Sequence, residues 1–180
     1  GPESCGKTTL TRKLAKVYCT SWSEELGRDY QHDVVGGNVD LFDLEDFNRI
    51  THLQYEQDLT ALRSANKVCF FDTDAVVTAF FSQVFLGQVA SRVESFIDPA
   101  KYDLVIALKP TVPWIADGMR ELGEQATREL SFDQLMALYQ SYGFDVSRFC
   151  VIDAPDYYQR LEGCIAAVEK SLYGAVQSTI

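Results

Sequence analysis

The chain opens with Gly1-Pro2-Glu3-Ser4-Cys5-Gly6-Lys7-Thr8, which matches the pattern G-x-x-x-x-G-K-[ST] at every defined position. Glycines in this pattern let consecutive backbone N–H groups curl around a phosphate, and the helix that follows directs its N-terminal dipole at the same anion. Leu10, Leu14 and Val17 recur at intervals of three or four residues, so we expect a helix over residues 7–19. The sequence therefore predicts a phosphate-binding loop, or P-loop, followed directly by the helix that such a loop requires.

The P-loop is predicted to supply both backbone and side-chain ligands for ATP. Lys7 is expected to reach the β- and γ-phosphates, and the Thr8 hydroxyl is expected to be a ligand of Mg²⁺. The residues predicted to bind ATP through this loop are Gly1, Pro2, Glu3, Ser4, Cys5, Gly6, Lys7 and Thr8. Because a strand normally leads into a P-loop, we expect the first strand to belong before Gly1. The domain would then be truncated at its N-terminus, with a possible fused domain upstream.

Composition limits the ligands that the rest of the chain can bind. The 180 residues include 16 Lys+Arg and 26 Asp+Glu, a formal net charge of −10, which argues against a surface that binds nucleic acid or an anionic membrane. Hydrophobic residues make up 47%, enough for the core of a single domain over residues 1–180. No apolar run approaches the ~18 residues of a membrane span, so a soluble cytoplasmic protein is expected. Phosphate must then be bound by a few local groups.

Short apolar runs alternate with helical patterns along the rest of the chain. The runs at 68–71, 104–108 and 149–152 are typical of buried parallel strands. Helices are predicted over 45–65, 74–86, 131–142 and 156–173, with Gly87 closing the second, Ser131 as the N-cap of the third and Gly143 as its C′ residue. This order predicts a three-layer α/β P-loop NTPase fold with a parallel sheet and a lid segment.

The five cysteines and two histidines show no metal-binding or pairing pattern. Cys69 and Cys150 lie in apolar runs, where a small buried hydrophobe is the usual interpretation. We expect no disulfide framework, and a structural or surface role for His32 and His52.

Asp72 ends the apolar run 68–71, where P-loop proteins place an acidic metal ligand. We expect Asp72 to hold Mg²⁺ directly or through water. Asp74 is expected to face the acceptor substrate or to support the metal. The alternative for both residues is that the carboxylate caps the helix that follows, and this alternative is serious for Asp74.

The class of P-loop protein is indicated by the residues around and after Asp72. The D-x-x-G and N-K-x-D patterns of a GTPase are not matched, and Thr73 stands where a hydrolytic motor or AAA-type ATPase usually has a glutamate. The glycine-containing segment 114–128 instead carries Arg120 and Arg128. Small-molecule kinases use such an arginine-bearing lid to neutralise the transferred phosphoryl group and to exclude water. The alternative is a pair of surface helices with solvated arginines.

A kinase also needs a carboxylate that orients or deprotonates the acceptor hydroxyl. Candidates lie in the segment 23–30, where the second strand should end at the ligand-binding edge of the sheet. We predict Glu25 as the base and Arg28 as a contact to the acceptor or to phosphate. An acid-rich surface loop is an almost equally good interpretation of this segment.

Five blocks of the sequence resemble the ribosylnicotinamide kinase domain of the bacterial NadR family. They are Gly1–Thr8, Glu25-Leu26-Gly27-Arg28-Asp29-Tyr30, Phe71-Asp72-Thr73-Asp74, Trp114-Ile115-Ala116-Asp117-Gly118 with Arg120 and Arg128, and Ile152-Asp153-Ala154-Pro155. The blocks occur in the family's order and span nearly the whole chain. Leu26 departs from the family's E-Y-G-R pattern, which has Tyr there, and this leaves Trp22 or Tyr55 to stack on a nicotinamide ring.

The resemblance implies phosphorylation of the 5′-hydroxyl of nicotinamide riboside by Mg-ATP, in NAD salvage. It implies that Ala154 and Pro155 lie near the adenine of ATP and that Arg120 and Arg128 are lid groups. Substrate contacts are then expected from Glu25, Arg28, Asp74 and Tyr55, and catalysis from Lys7, Glu25, Asp72, Arg120 and Arg128. Two alternatives remain open, namely a non-catalytic ATP-sensing module of a NAD-related regulator and a kinase of another nucleoside or nucleotide.

Overall fold

A computed structural model of the chain describes residues 1–112 and 125–174. Contacts divide the chain into a first unit, Gly1–Leu14 with Pro99–Ile180, and a second unit, Ala15–Asp98. The helices are α1 (Lys7–Val17), α2 (Gly27–Asp33), α3 (Leu44–Arg63), α4 (Ala75–Leu86), α5 (Gln125–Ser141) and α6 (Tyr157–Tyr173). The strands are β1 (Trp22–Ser23), β2 (Phe70–Phe71), β3 (Val105–Leu108) and β4 (Phe149–Ile152). Short 3₁₀ helices span Val39–Leu41, Glu94–Phe96 and Val146–Arg148.

The first unit is built on the parallel strands β3 and β4. They pair in register from Val105 opposite Phe149 to Leu108 opposite Ile152. Helix α6 packs closely on β4, since a Cβ added to Gly163 would meet the Ile152 Cδ1 atom at 3.0 Å. The carboxyl ends of both strands therefore point the same way, as they do in ligand-binding α/β sheets.

Helix α5 is longer than its sequence pattern predicts, and the prediction that Ser131 is its N-cap is wrong. Ser131 lies inside α5, where its hydroxyl donates to the Thr127 carbonyl at 2.8 Å. The predicted C-terminus is confirmed, because the Gly143 N–H donates to Gln140 at 3.0 Å and the Phe144 N–H donates to the carbonyl five residues earlier at 3.2 Å. These two bonds form the Schellman motif that commonly ends a helix.

The second unit pairs β1 and β2 in parallel, with Trp22 opposite Phe70 and Ser23 opposite Phe71. Its core includes the rings of Phe42 and Phe47, and the half-buried ring of Phe85 packs against both, with centroids 5.2 to 6.5 Å apart. Helices α3 and α4 pack on each other within this unit. Asp43 caps α3 in a capping box with Asp46, which satisfies N–H groups at the start of the helix.

The predicted alternation of parallel strands and helices is confirmed for the described residues, although several elements begin or end at other residues than predicted. The run 68–71 forms strand over Phe70–Phe71 alone, and α2 was not predicted, because Gly27–Asp33 carries no apolar period. None of the helices in the described ranges is long and apolar enough to span a membrane.

The burial of the cysteines differs from the sequence-based interpretation. Cys69 and Cys150 are partly exposed, whereas Cys5 and Cys164 are 1% exposed. Cys69 lies just outside β2, and Cys150 lies on β4, which among the described residues pairs only with β3. An apolar run in the sequence therefore did not ensure that both faces of the strand are buried. Burial, and then the nearby Cys150 thiol, raise the pKa of Cys164 to about 11.

We predict that Cys164 resists alkylation by iodoacetamide at pH 8 in the folded protein. Its raised pKa keeps the side chain in the thiol form, while the reactive form is the thiolate, so Cys164 should react at least about 100-fold more slowly than the exposed Cys19. Peptide mass spectrometry over a time course measures both rates, and the same protein in urea should label both residues alike. Similar rates in the folded protein would contradict the placement of Cys164.

Candidate nucleotide-binding site

The P-loop has the backbone conformation of an anion-binding nest. Ser4 and Gly6 have positive φ angles of 56° and 82°, and Cys5 between them does not. Alternation of this kind turns successive N–H groups toward the inside of one concave surface, where they can share an anion. Helix α1 begins directly at Lys7, and the Leu10 N–H donates to the Gly6 carbonyl at 3.0 Å. The predicted phosphate-binding conformation is thus present in the backbone.

Gly1 and Lys7 have different roles at the two ends of the loop. A Cβ on Gly1 would lie 2.2 Å from the Leu108 carbonyl oxygen, so the start of the loop packs against the end of β3 in a way that glycine alone permits. The Lys7 ammonium donates to the Pro2 carbonyl at 3.1 Å and is thereby folded back across the loop. A cation held there is well placed to meet phosphate oxygens.

Two buried arginines donate to consecutive carbonyls of the P-loop. The Arg128 Nη2 atom lies 3.4 Å from the Ser4 oxygen, and the Arg160 Nη1 atom lies 2.7 Å from the Cys5 oxygen. Both side chains are 1% exposed. Arg128 also donates to the Val112 carbonyl at 3.1 Å. The sequence predicted Arg128 as a lid group, whereas the significance of Arg160 was missed.

The loop after β4 carries Ala154 and Pro155, the residues that the family resemblance places near the adenine. The Ala154 carbonyl accepts from the Thr111 hydroxyl at 3.1 Å and from the Arg160 Nε atom at 2.6 Å, while Pro155 is exposed. Lys109 pairs with Asp153 at 2.8 Å, and this hydrogen bond raises the pKa of the Lys109 ammonium. The segment is therefore anchored through its backbone. Its contact with adenine stays a prediction.

In the second unit, Asp72 and Glu25 follow neighbouring parallel strands at the same edge. Ser23 pairs with Phe71, so Asp72 comes directly after β2 and Glu25 lies two residues after β1. Asp72 is 6% exposed, and its N–H donates to the Ser23 carbonyl at 3.0 Å. Glu25 is half-buried. This edge is where the sequence predicted the metal-binding acid and the acceptor base.

Asp74 acts as the N-cap of α4. Its Oδ1 atom accepts from the N–H groups of Val76 at 2.9 Å and Val77 at 3.1 Å. The capping role that the sequence left as an alternative is thus confirmed, and the role in substrate binding stays a prediction. Tyr55 is 38% exposed, with its ring centroid 5.1 Å from that of Phe96. Trp114 and Arg120 lie outside the described residues.

A buried hydrogen-bond network fixes the backbone on both sides of Glu25. The Gln54 amide donates to the Glu24 carbonyl at 2.9 Å and accepts from the Leu26 N–H at 3.1 Å. Asp58, which is 3% exposed, accepts from the Gln54 amide at 2.9 Å and from the Ser23 hydroxyl at 2.6 Å. Sequence reasoning missed this network, because Gln54 and Asp58 on α3 resemble the polar face of any amphipathic helix.

Helix α2 presents Arg28, and Tyr30 attaches this helix to the rest of the second unit. The Tyr30 hydroxyl donates to the Asp46 carboxylate at 2.7 Å, and burial together with this bond raises the pKa of Tyr30. Arg28 lies on the first turn of α2 and is half-buried. The segment 23–30 is therefore the end of β1, a short connection over residues 24–26 that carries Glu25, and the first turn of α2.

Mg²⁺ is the metal that a P-loop implies, and the predicted donors suit it. Thr8 offers a hydroxyl in the first unit and Asp72 a carboxylate in the second, and both are the hard oxygen ligands that Mg²⁺ prefers. Among the described residues, no group of three or more His, Cys, Asp or Glu side chains could hold a metal.

The nest at Ser4–Gly6, the lysine that follows it and the helix that starts there define a P-loop nucleotide-binding domain of α/β class. The family described as "AAA domain" matches residues 1–160. The chain belongs to this family, although Thr73 stands where a hydrolytic AAA-type ATPase usually has a glutamate.

Curated relatives and solved structures agree on a second similarity. The chain is 34% identical over 174 residues to the trifunctional NAD biosynthesis/regulator protein NadR of Escherichia coli (strain K12), and equally identical to that of Salmonella typhimurium (strain LT2). These matches cover 96% of this chain and 41% of each relative, so the chain spans less than half their length. The similarity to NadR that the sequence blocks predicted is confirmed.

Two solved NadR structures share the fold. A NadR protein in complex with NR superposes with a TM-score of 0.74 at 26% identity, covering 95% of this chain and 48% of that one. A NadR protein in complex with NAD and AMP-PNP gives a TM-score of 0.75 at 25% identity, covering 95% and 47%. The P-loop NTPase-like α/β fold predicted from the sequence is therefore confirmed.

We predict that Gly6→Ala weakens ATP binding through backbone strain. No atom lies within 4 Å of a Cβ at Gly6, but its φ of 82° is unfavourable for any L side chain by about 1–2 kcal/mol, and relief of that strain would turn the nest amides. Gly37 is a matched control in the second unit, with the same φ and equally open space. Calorimetric titration should show reduced ATP affinity for Gly6→Ala and unchanged affinity for Gly37→Ala.

Gln54→Leu should destabilise the second unit. The substitution leaves the Leu26 N–H and part of a buried network without their partner, a loss of about 1–3 kcal/mol in the free energy of unfolding. Gln83→Leu is the control, because Gln83 also donates to a carbonyl, that of Gly87, but is exposed. Urea unfolding measures both variants. If both variants lost the same free energy of unfolding, the buried network around Glu25 would stabilise the second unit no more than an exposed hydrogen bond does.

Proposed function

We propose that the chain is a Mg-ATP-dependent kinase that phosphorylates the 5′-hydroxyl of nicotinamide riboside. The observation that carries this proposal is the P-loop nest formed by Ser4 and Gly6 in the first unit. The second unit, taken by itself, places Asp72 and Glu25 after two neighbouring parallel strands. The proposal is supported by the similarity to NadR proteins, of which one solved example is in complex with NR and another with the nucleotide AMP-PNP.

The phosphate end of ATP is assigned to the P-loop. The nest amides and the Lys7 ammonium bind the β- and γ-phosphates, because the amides turn into one concave surface and the ammonium is held at the Pro2 carbonyl of the same loop. Thr8 and Asp72 hold Mg²⁺, which, when bound, neutralises negative charge on the phosphates. Ala154 and Pro155 lie toward the adenine.

The acceptor hydroxyl is assigned to Glu25. Its carboxylate accepts the 5′-hydroxyl proton as the new bond from that oxygen to the γ-phosphorus forms and the bond from the γ-phosphorus to the ADP oxygen breaks. Catalysis of this kind depends mainly on position, which explains why a buried network restrains the backbone on both sides of Glu25. Arg28, Asp74 and Tyr55 complete the acceptor contacts.

Neutralisation of the migrating charge is assigned to the arginines of the lid. Arg128 contributes its charge at the Ser4 carbonyl, next to the nest. Arg120 is proposed as the second lid group on the strength of the sequence blocks alone.

Lys7→Ala should abolish phosphoryl transfer while leaving the fold intact. The substitution removes the ammonium that lies across the P-loop, and a loss of at least about 100-fold in kcat is expected for a transition-state charge contact. Lys13→Ala is the control, since Lys13 lies on the same helix α1 but is exposed. ADP release with ATP and nicotinamide riboside is measured for both, with circular dichroism as the check on folding. A folded Lys7→Ala variant with normal turnover would refute the assignment.

The same assay, run with a panel of nucleosides, tests the acceptor. Nicotinamide riboside should be preferred over thymidine, other nucleosides and nucleoside monophosphates. A clear preference for another member of the panel would replace the proposed substrate. ATP binding without ADP release for any acceptor would instead indicate an ATP-sensing module, which is a role compatible with the regulator in the relatives' name.

A further inference from the structure

Arg160 is a fully buried cation that the proposed chemistry does not use. It lies in the first turn of α6 and is 1% exposed. Within the described residues, no carboxylate forms an ion pair with it. Burial of an arginine without a counter-ion is unfavourable unless the guanidinium is fully hydrogen-bonded. Desolvation accordingly lowers the pKa of Arg160, although arginine keeps its charge at any physiological pH.

The guanidinium is satisfied by oxygen atoms from three separate segments of the first unit. Its Nη1 atom donates to the Cys5 carbonyl at 2.7 Å and its Nε atom to the Ala154 carbonyl at 2.6 Å. Its Nη2 atom donates to the Lys109 carbonyl at 2.5 Å and to the Thr111 hydroxyl at 2.7 Å. One side chain thus joins the P-loop, the residues that follow β3 and the loop that follows β4.

The bond to Cys5 determines where the next amide of the P-loop points. In a trans peptide the C=O of one residue and the N–H of the next are antiparallel. A Cys5 carbonyl directed at Arg160 therefore turns the Gly6 N–H to the opposite side, which is the inside of the nest. The Ser4 carbonyl, directed at Arg128, does the same for the Cys5 N–H. The two guanidiniums outside the loop therefore fix the direction of the backbone N–H groups inside it.

We infer that Arg160 is a positioning residue of the nucleotide site, which holds the P-loop amides in the orientation that binds the β-phosphate. It acts through the loop backbone and not by contact with ATP. Its bond to Ala154 ties the same guanidinium to the segment assigned to adenine. The inference rests on the proposed function in so far as a nucleotide is the ligand, and it does not depend on the acceptor.

Arginine is required here by geometry as well as by charge. The planar fork of the guanidinium reaches four acceptors at fixed angles, whereas a lysine ammonium has three donors at a single point. Arg160→Lys keeps the charge and loses the fork. It should therefore release the Cys5 carbonyl, the Ala154 carbonyl or both.

The test compares ADP with AMP, because AMP lacks the β-phosphate that the nest binds. Competition with a fluorescent adenine nucleotide gives both dissociation constants without any acceptor. For Arg160→Lys we expect ADP affinity to fall by about 10-fold or more and AMP affinity by less than about 3-fold, as for the loss of a charged hydrogen bond that acts at one phosphate. Arg148→Lys is the control, since Arg148 is exposed and donates to the Tyr102 carbonyl at 3.2 Å. It should change neither constant.

A merely structural role predicts a different result. Loss of folded protein would lower the fraction of molecules that bind and leave the ratio of the two dissociation constants unchanged. If folded Arg160→Lys protein binds ADP and AMP with an unchanged ratio of dissociation constants, the inference is overturned. If nicotinamide riboside is not phosphorylated but the ratio changes as expected, the positioning role stands and the proposed acceptor fails.

Thr111→Val decides the question if Arg160→Lys does not fold. Thr111 is exposed, and the substitution removes one acceptor of the Arg160 Nη2 atom. The expected effect is a loss of about 2–5-fold in ADP affinity with a smaller loss in AMP affinity, since the substitution removes the hydrogen bond from the charged Arg160 guanidinium and the bond to the Ala154 carbonyl. An unchanged ADP affinity in that variant would overturn the inference by itself.

Discussion

The constraint on which the site depends is that a peptide group cannot direct its N–H at a phosphate without directing a carbonyl away from it. The nest at Ser4–Gly6 turns N–H groups inward, so the Ser4 and Cys5 carbonyls face the protein. Carbonyls buried there need donors, because an unsatisfied polar group is costly away from water. Arg128 and Arg160 are those donors, and each brings a positive charge to the outside of an anion site.

This arrangement reconciles a formal net charge of −10 with the proposed binding of ATP. Charge at the surface is screened over roughly a Debye length of 8–10 Å, whereas a buried guanidinium is screened far less. The Lys7 ammonium donates to the Pro2 carbonyl within the loop, and the two buried arginines donate to the Ser4 and Cys5 carbonyls. The charges of the two buried arginines are therefore screened less than those of the acidic exterior.

Sequence analysis predicted the parts of the site that are encoded locally. The P-loop is recognisable because its pattern lies within eight consecutive residues. The position of Asp72 directly after a strand follows in the same way from the apolar run before it. Arg160 is not recognisable, because its acceptors are mainly carbonyls, which every residue has, and Cys5 lies 155 positions away. Ser131 was misassigned for the converse reason: serine is common at N-caps, yet inside α5 its hydroxyl bonds the Thr127 carbonyl. Contacts between side chain and distant backbone leave no pattern in the sequence.

The two units meet opposite chemical demands with opposite kinds of support. Binding phosphate calls for cations, and in the first unit the buried arginines are matched to neutral carbonyls, which leave their charge uncancelled. Activating a hydroxyl calls for a carboxylate, and in the second unit the backbone around Glu25 is held by Gln54, a neutral amide. A lysine or arginine in the place of Gln54 would pair with the nearby acids and reduce their basicity. Neutral partners thus leave each unit the charge that the proposed kinase reaction requires.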